Sequence, residues 1–141
     1  MRLSGGSAAS YGNAMTMASS SRGLRIALFA LACAFVVWIC LIPADEVPKT
    51  GLSDKIEHAV AYAGLALLGV WAFPRRYGRL AAGLMTLGIV IEVLQGLMGL
   101  GRQADVMDAV ADGIGLGLML IALFVLAQSR LGPYRRRAEI E

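Results

Sequence analysis

Four long apolar stretches, residues 24–42, 56–73, 80–98 and 109–127, constrain this chain more than any other feature. Each is about 18–19 residues long, close to the roughly 20 that a helix needs to cross the hydrocarbon core of a bilayer. They do not alternate as half-buried strands do, and Ala, Leu and Met outweigh a β-branched pattern. The composition agrees, with 57% hydrophobic and 16% charged residues and a mean hydropathy of +0.66. A soluble domain of 141 residues would have to hide too much apolar surface. The connections are short, so neighbouring helices should be antiparallel. The expected fold class is all-α: a polytopic membrane protein forming an up-down bundle of four transmembrane helices over residues 24–127. Residues 1–23, rich in Ser, Gly and Ala and without periodicity, are expected to be a disordered tail. Residues 128–141 are expected to be a basic tail.

Charge orients the bundle. Arg2, Arg22 and Arg25 lie at or before the first stretch, and Arg75, Arg76 and Arg79 between the second and third. Arg130, Arg135, Arg136 and Arg137 follow the fourth. Only Lys49, Lys55 and Arg102 remain for the opposite side. Loops on the cytoplasmic side carry the Lys/Arg excess, so both termini are expected in the cytoplasm. The outward side then holds Asp45, Glu46, Asp54, Glu57, Glu92, Asp105, Asp108 and Asp112, eight of the ten acids. The pI near 9.2 therefore reports topology. It is no argument for nucleic acid, because the basic residues are split among short segments flanking the spans. The first stretch is longer than the apolar run of a signal peptide and reads as an uncleaved span. Cys33 and Cys40, seven apart inside it, read as packing residues.

The polar residues within and beside the spans carry the functional information. Asp54, His58, Tyr62 and Leu65 follow i, i+4, i+8, i+11 spacing and share a helix face. Glu92 and Gln95 are neighbours at i, i+3, and Asp105, Asp108 and Asp112 form a third group at the start of the fourth stretch. In the assigned topology all three groups reach the same outward depth. Glu92 is the sharpest of them, because a charged residue at a helix centre costs about 2.5–3.5 kcal/mol on insertion scales. Such acids normally face the bundle interior and have a partner, here Lys55, His58 or Arg102. A buried polar clasp between helices is the bland alternative to a working site. His58, the only histidine, suits a general base, a proton relay or a metal ligand. One His among carboxylates is not a specific metal signature, so no metal or other cofactor is assigned. Lys55 and Arg102 suit an anion such as phosphate, or simply neutralise the acids. Ser53 reads as the cap of the second helix. Gly113 and Gly117 read as a small-residue face for close helix approach rather than a dinucleotide loop.

These motifs resemble the VanZ-like family. The resemblance rests on Asp54-Lys55-x-x-His58-x-x-x-Tyr62-x-x-Leu65, then Glu92-x-x-Gln95, then Gly101-Arg102-x-x-Asp105-x-x-Asp108 and a Gly-rich helix. It covers residues 54–120, roughly half the chain, and its order and spacing make it more specific than any fragment alone. Asp112 departs from the pattern, since relatives often carry Asn there. The resemblance implies a small multi-pass protein of the bacterial cytoplasmic membrane. The family's namesake is linked to resistance to teicoplanin, a lipid-tailed glycopeptide acting on cell-wall precursors. The expectation is an outward cluster that binds or modifies an envelope amphiphile, its partners being membrane lipids or a lipid-linked envelope precursor. Glu92 and His58 would handle protons, while Lys55 and Arg102 would hold an anionic headgroup. Gln95, Asp54, Tyr62, Asp105, Asp108 and Asp112 would complete the binding set. The alternatives are a proton- or cation-coupled transporter acting as a homodimer, and a non-catalytic assembly protein. Whether the chain is an enzyme stays open, because no nucleophile–base pair is assured.

Overall fold

A computed structural model describes the backbone of residues 7–99 and 101–138 and the side chains of residues 21–99 and 101–129. Arg2 and the last three residues lie outside the described residues, as do the side chains of Arg130, Arg135, Arg136 and Arg137. Four helices make up the fold: α1 (Ser7–Leu41), α2 (Asp54–Ala72), α3 (Tyr77–Met98) and α4 (Val106–Ala138). Both terminal helices run past the apolar stretches that nucleate them. α1 takes in the Ser/Gly/Ala-rich segment from Ser7 onward, where a disordered tail was expected, and α4 takes in most of the basic tail. Propagation adds one hydrogen bond per residue once a helix exists. Residues 7–23 contain no proline to stop it.

Among the described residues, three segments are long and apolar enough to cross a membrane: Ser21–Leu41, Tyr77–Met98 and Val106–Ser129. Their apolar side chains point outward rather than inward. Only 11% of the α1 window is buried within the protein. Leu31, Phe35 and Trp38 on α1, Val93 and Leu97 on α3, and Leu118 and Ile121 on α4 are all exposed. Such a surface is stable against lipid and not against water. α2 is the exception among the four helices. Asp54, Lys55, Glu57 and His58 crowd its start, which leaves residues 59–72 as its apolar part.

The one helix without a membrane-length apolar segment also makes the most extensive packing contacts. α2 touches each of the other three and packs most closely on α4. Its buried stripe is His58, Tyr62, Leu65, Gly69 and Ala72. The spacing of three and four puts these residues on one face. α3 answers with Leu80, Leu84, Gly88, Ile91 and Gln95, and α4 with Asp108, Ala111, Asp112 and Leu116. Glycine sets the α2–α4 distance. A Cβ added at Gly115 would run into the backbone of Ala59, so only glycine permits that approach. This corrects the expectation for Gly113 and Gly117. A Cβ at Gly113 would lie in ordinary contact with Met85 at 3.5 Å, and one at Gly117 would meet nothing within 4 Å. The inward stripe of α4 is centred on its aspartates, which turns Gly115 toward α2.

The two ends of the bundle differ in chemistry. Arg75 and Arg76 occupy the α2–α3 turn, with Arg75 in the left-handed region at φ 67°. Arg79 and Arg25 lie near that end, and the Arg25 guanidinium sits 5.9 Å over the ring of Trp71. The opposite end carries the α1–α2 connection, the start of α2 and the α3–α4 loop. Gly99 ends α3 in the left-handed conformation and Gly101 follows at φ 72°. These two glycines turn the chain back so that Arg102 and Asp105 overhang the start of α4.

Candidate functional site

The site grows from the first two turns of α2. Ser53 holds the N-cap position in extended conformation, but its hydroxyl makes no capping bond. Its carbonyl instead accepts the amides of Ile56 and Glu57. The expected side-chain cap is therefore absent at Ser53. A threonine three residues earlier does related work. The Thr50 hydroxyl accepts the amide of Leu52 and donates to Glu57, which ties the loop to the helix. One turn into α2, His58 enters the interior, where only 7% of it stays exposed.

His58 meets Asp112 of α4. Nδ1 lies 2.9 Å from Oδ1 of Asp112, itself 1% exposed. A carboxylate only accepts, so Nδ1 carries the proton and Nε2 is left with its lone pair. This contact spans the closest helix pair in the bundle. Gly88 of α3 makes room beside it, because a Cβ there would lie 2.6 Å from Oδ2 of Asp112 and 3.0 Å from the Tyr62 oxygen. Tyr62 packs one turn below His58, 1% exposed.

A second set of contacts forms above the first. The Lys55 ammonium donates to Asp105 at 2.6 Å and to Asp108 at 3.1 Å. This joins the α3–α4 loop and the first turn of α4 to α2. The Lys55 hydrogen bond, helped by the Met107 amide, holds the Asp105 carboxyl below the usual carboxylate range. Glu92 lies beneath the same loop, with Oε2 accepting the Asp105 amide at 2.8 Å. Its Oε1 is buried without a partner. None of Lys55, His58 or Arg102, the cations expected to pair with Glu92, forms an ion pair with it.

Arg102 and Gln95 turn toward α1 instead. The last carbonyls of a helix lack intrahelical donors, and α1 ends at Leu41. Gln95 Nε2 donates to the carbonyl of Cys40 at 2.8 Å, and Arg102 donates to that of Ile39 at 3.3 Å. A cation at a helix C-terminus also meets the negative end of the helix dipole. The sequence reading missed this role for the two side chains. Its signal was present in the apolar stretch ending just before Pro43, where unpaired carbonyls are unavoidable.

All ten expected site residues therefore gather at one end of the bundle, in two layers with different partners from those expected. Asp54, His58 and Arg102 line an inner cleft of about 120 Å³ that reaches Val36 and Cys40 of α1. Asp54, Asp108, Gln95 and Arg102 line a more open cleft of about 320 Å³ outside it. Three of these groups could hold a metal ion. Ligand atoms of Asp54, His58 and Asp108 lie within 4.8 Å of one another. Chemically, the arrangement offers a histidine oriented by a buried carboxylate, a surplus of acids over free cations, and access from the polar end. No family model, curated protein or solved structure matches the chain.

Proposed function

We propose that the protein spans a bacterial cytoplasmic membrane four times, with both termini in the cytoplasm. Its outward cleft then binds or modifies the polar headgroup of a cell-envelope amphiphile. Contacts at both ends of α2 support a full crossing by that helix. Its first turn meets the start of α4 through Lys55 and Asp108. Its C-terminal end reaches the start of α3, where Gly69 faces Leu80, and the first half of the apolar segment of α1, where Phe73 packs edge-on against Phe29 at 5.6 Å. Nineteen residues at about 1.5 Å each cover about 28 Å, close to the hydrocarbon thickness. The positive-inside rule and the Arg25–Trp71 contact, an interfacial pairing, support the orientation.

The observation that carries the reading is the buried His58–Asp112 hydrogen bond, whose imidazole lines the inner cleft together with Asp54 and Arg102. A proton-handling imidazole held in one tautomer, at a depth where headgroup chemistry meets acyl chains, suits an amphiphile. A lipid-linked wall precursor or a lipid-tailed glycopeptide has that shape. The VanZ-like resemblance of residues 54–120 points the same way, toward teicoplanin tolerance. The test is antibiotic susceptibility of a Gram-positive host expressing wild type or Glu92→Gln at matched membrane levels. Selective teicoplanin tolerance that disappears in the variant is the expected result. No tolerance with the wild type overturns the link. A second reading, that the cluster only locks the bundle, is favoured by Gln95 and Arg102, whose donors go to α1 carbonyls. It predicts altered stability with unaltered phenotype.

A further inference from the structure

The headgroup reading leaves an electrostatic problem that the cleft's own cations do not solve. Lys55 is committed to Asp105 and Asp108, and Arg102 donates to a carbonyl of α1. Asp54 has no ion pair with either, yet a carboxyl oxygen of Asp54 lies within 4.8 Å of one of Asp108 and of a ring nitrogen of His58. Two carboxyls from different helices, drawn together beside a histidine, repel unless a proton or a cation lies between them. Lys55 engages Oδ1 of Asp108, which leaves the other oxygen free to coordinate.

We propose that Asp54, His58 and Asp108 bind one divalent transition-metal ion of the zinc or manganese kind, whose open positions accept an anionic oxygen of the phosphate class. One imidazole and two carboxylates form a mixed donor set, and the imidazole favours such ions over magnesium or calcium. Ligand atoms within 4.8 Å of one another are close enough to converge on one ion, since tetrahedral Zn–N and Zn–O bonds of about 2.0–2.2 Å place ligands about 3.3–3.6 Å apart and rotation of the exposed Asp54 side chain can close the difference. The hydrogen bond to Asp112 supplies the outer carboxylate that orients metal-binding histidines and raises their basicity. An independent sign is Glu92. It is 7% exposed, its Oε2 accepts the amide of Asp105, whose side chain shares Lys55 with Asp108, and its Oε1 has no partner. A buried acid with one oxygen unsatisfied at this end of the bundle fits a site that carries one more positive charge. The ion's open positions would face the outer cleft, which Asp54 and Asp108 both line. Metal binding does not depend on the envelope function, whereas the phosphate-class ligand rests on it.

The test uses the full chain purified in detergent, stripped with a chelator and titrated with zinc or manganese, with bound metal counted after desalting. One equivalent of either ion is expected, with affinity falling at least about tenfold in Asp54→Asn and in Asp108→Asn, and by about tenfold in Asp112→Asn. Asp45→Asn, at an exposed acid outside the three ligands, should bind as the wild type does. Asp54 is exposed, so its variant should remain folded, and circular dichroism checks this. No saturable binding of either ion overturns the site, as does undiminished binding in the Asp54→Asn/Asp108→Asn double variant. Inorganic phosphate should bind the metal-loaded protein and not the stripped one. Equal binding to both overturns the ligand assignment. Metal binding without any teicoplanin effect would sink the envelope reading and leave the site standing. Tolerance without metal binding would do the reverse.

Discussion

His58 can keep its ring in the interior because Asp112 meets it, and the converse also holds. Removing one partner of a buried pair leaves the other uncompensated and costs about 3–5 kcal/mol, more than the pair's net worth. His58→Ala should therefore lower the thermal midpoint of the purified protein sharply, because Asp112 has almost no access to water. Asp112→Asn should be far milder, since an amide oxygen still accepts the Nδ1 hydrogen. Equal losses in the two variants, measured by thermal unfolding in one detergent, would show that charge rather than hydrogen bonding holds the pair. The spacing of Asp54, His58, Tyr62 and Leu65 makes their shared face legible from sequence, and His58, Tyr62 and Leu65 are indeed buried together. Spacing within α2 cannot say which of Asp105, Asp108 and Asp112 meets His58. That depends on the rotation and shift of α4 against α2.

That rotation is an element-scale property, and a single glycine controls much of it. Any side chain at Gly115 must displace the Ala59 backbone, so Gly115→Leu should separate α2 from α4 and destabilise the bundle by more than the usual about 1–3 kcal/mol of overpacking. Gly88→Ala should cost about 1–3 kcal/mol, because the Asp112 carboxylate and the Tyr62 oxygen occupy the space its methyl would need. Gly117→Ala should be neutral. Thermal unfolding of the three variants checks the order, and a Gly117→Ala loss as large as that of Gly115→Leu would contradict the packing face described for α4. The repeated glycines signal close approach in the sequence, but three of them alternate in a row. Only the inward stripe Asp108, Ala111, Asp112 and Leu116 selects Gly115. The roles of Gln95 and Arg102 were hidden for a related reason. Their partners are main-chain carbonyls of α1, which no side-chain pattern reveals.

At the scale of the whole molecule, the apolar stretches made the all-helical class and three membrane-competent helices legible, because length and hydropathy are additive along a segment. The central place of α2 was not legible, since it follows from what the other helices leave uncovered. The four-span orientation can be tested with single cysteines in a background carrying Cys33→Ala and Cys40→Ala. Ala44→Cys and Gln103→Cys, at the polar end, should react with a membrane-impermeant maleimide on intact cells. Tyr77→Cys, at the arginine end, should react only after permeabilisation. The opposite pattern would invert the topology and place the cleft in the cytoplasm.

The polar start of α2 has one more consequence, for the lipid around the protein. Residues 59–72 at about 1.5 Å each provide only about 21 Å of apolar length, against about 30 Å of hydrocarbon. α2 packs most closely on α4, and along that seam Lys55 and Ala59 border a largely apolar groove of about 520 Å³. In the proposed four-span arrangement, hydrophobic mismatch on that side would draw the bilayer surface down toward His58. The proposed amphiphile's headgroup would then meet the cleft at a dip in the membrane while its tails remained in the leaflet, and the protein should favour thin membranes over thick ones.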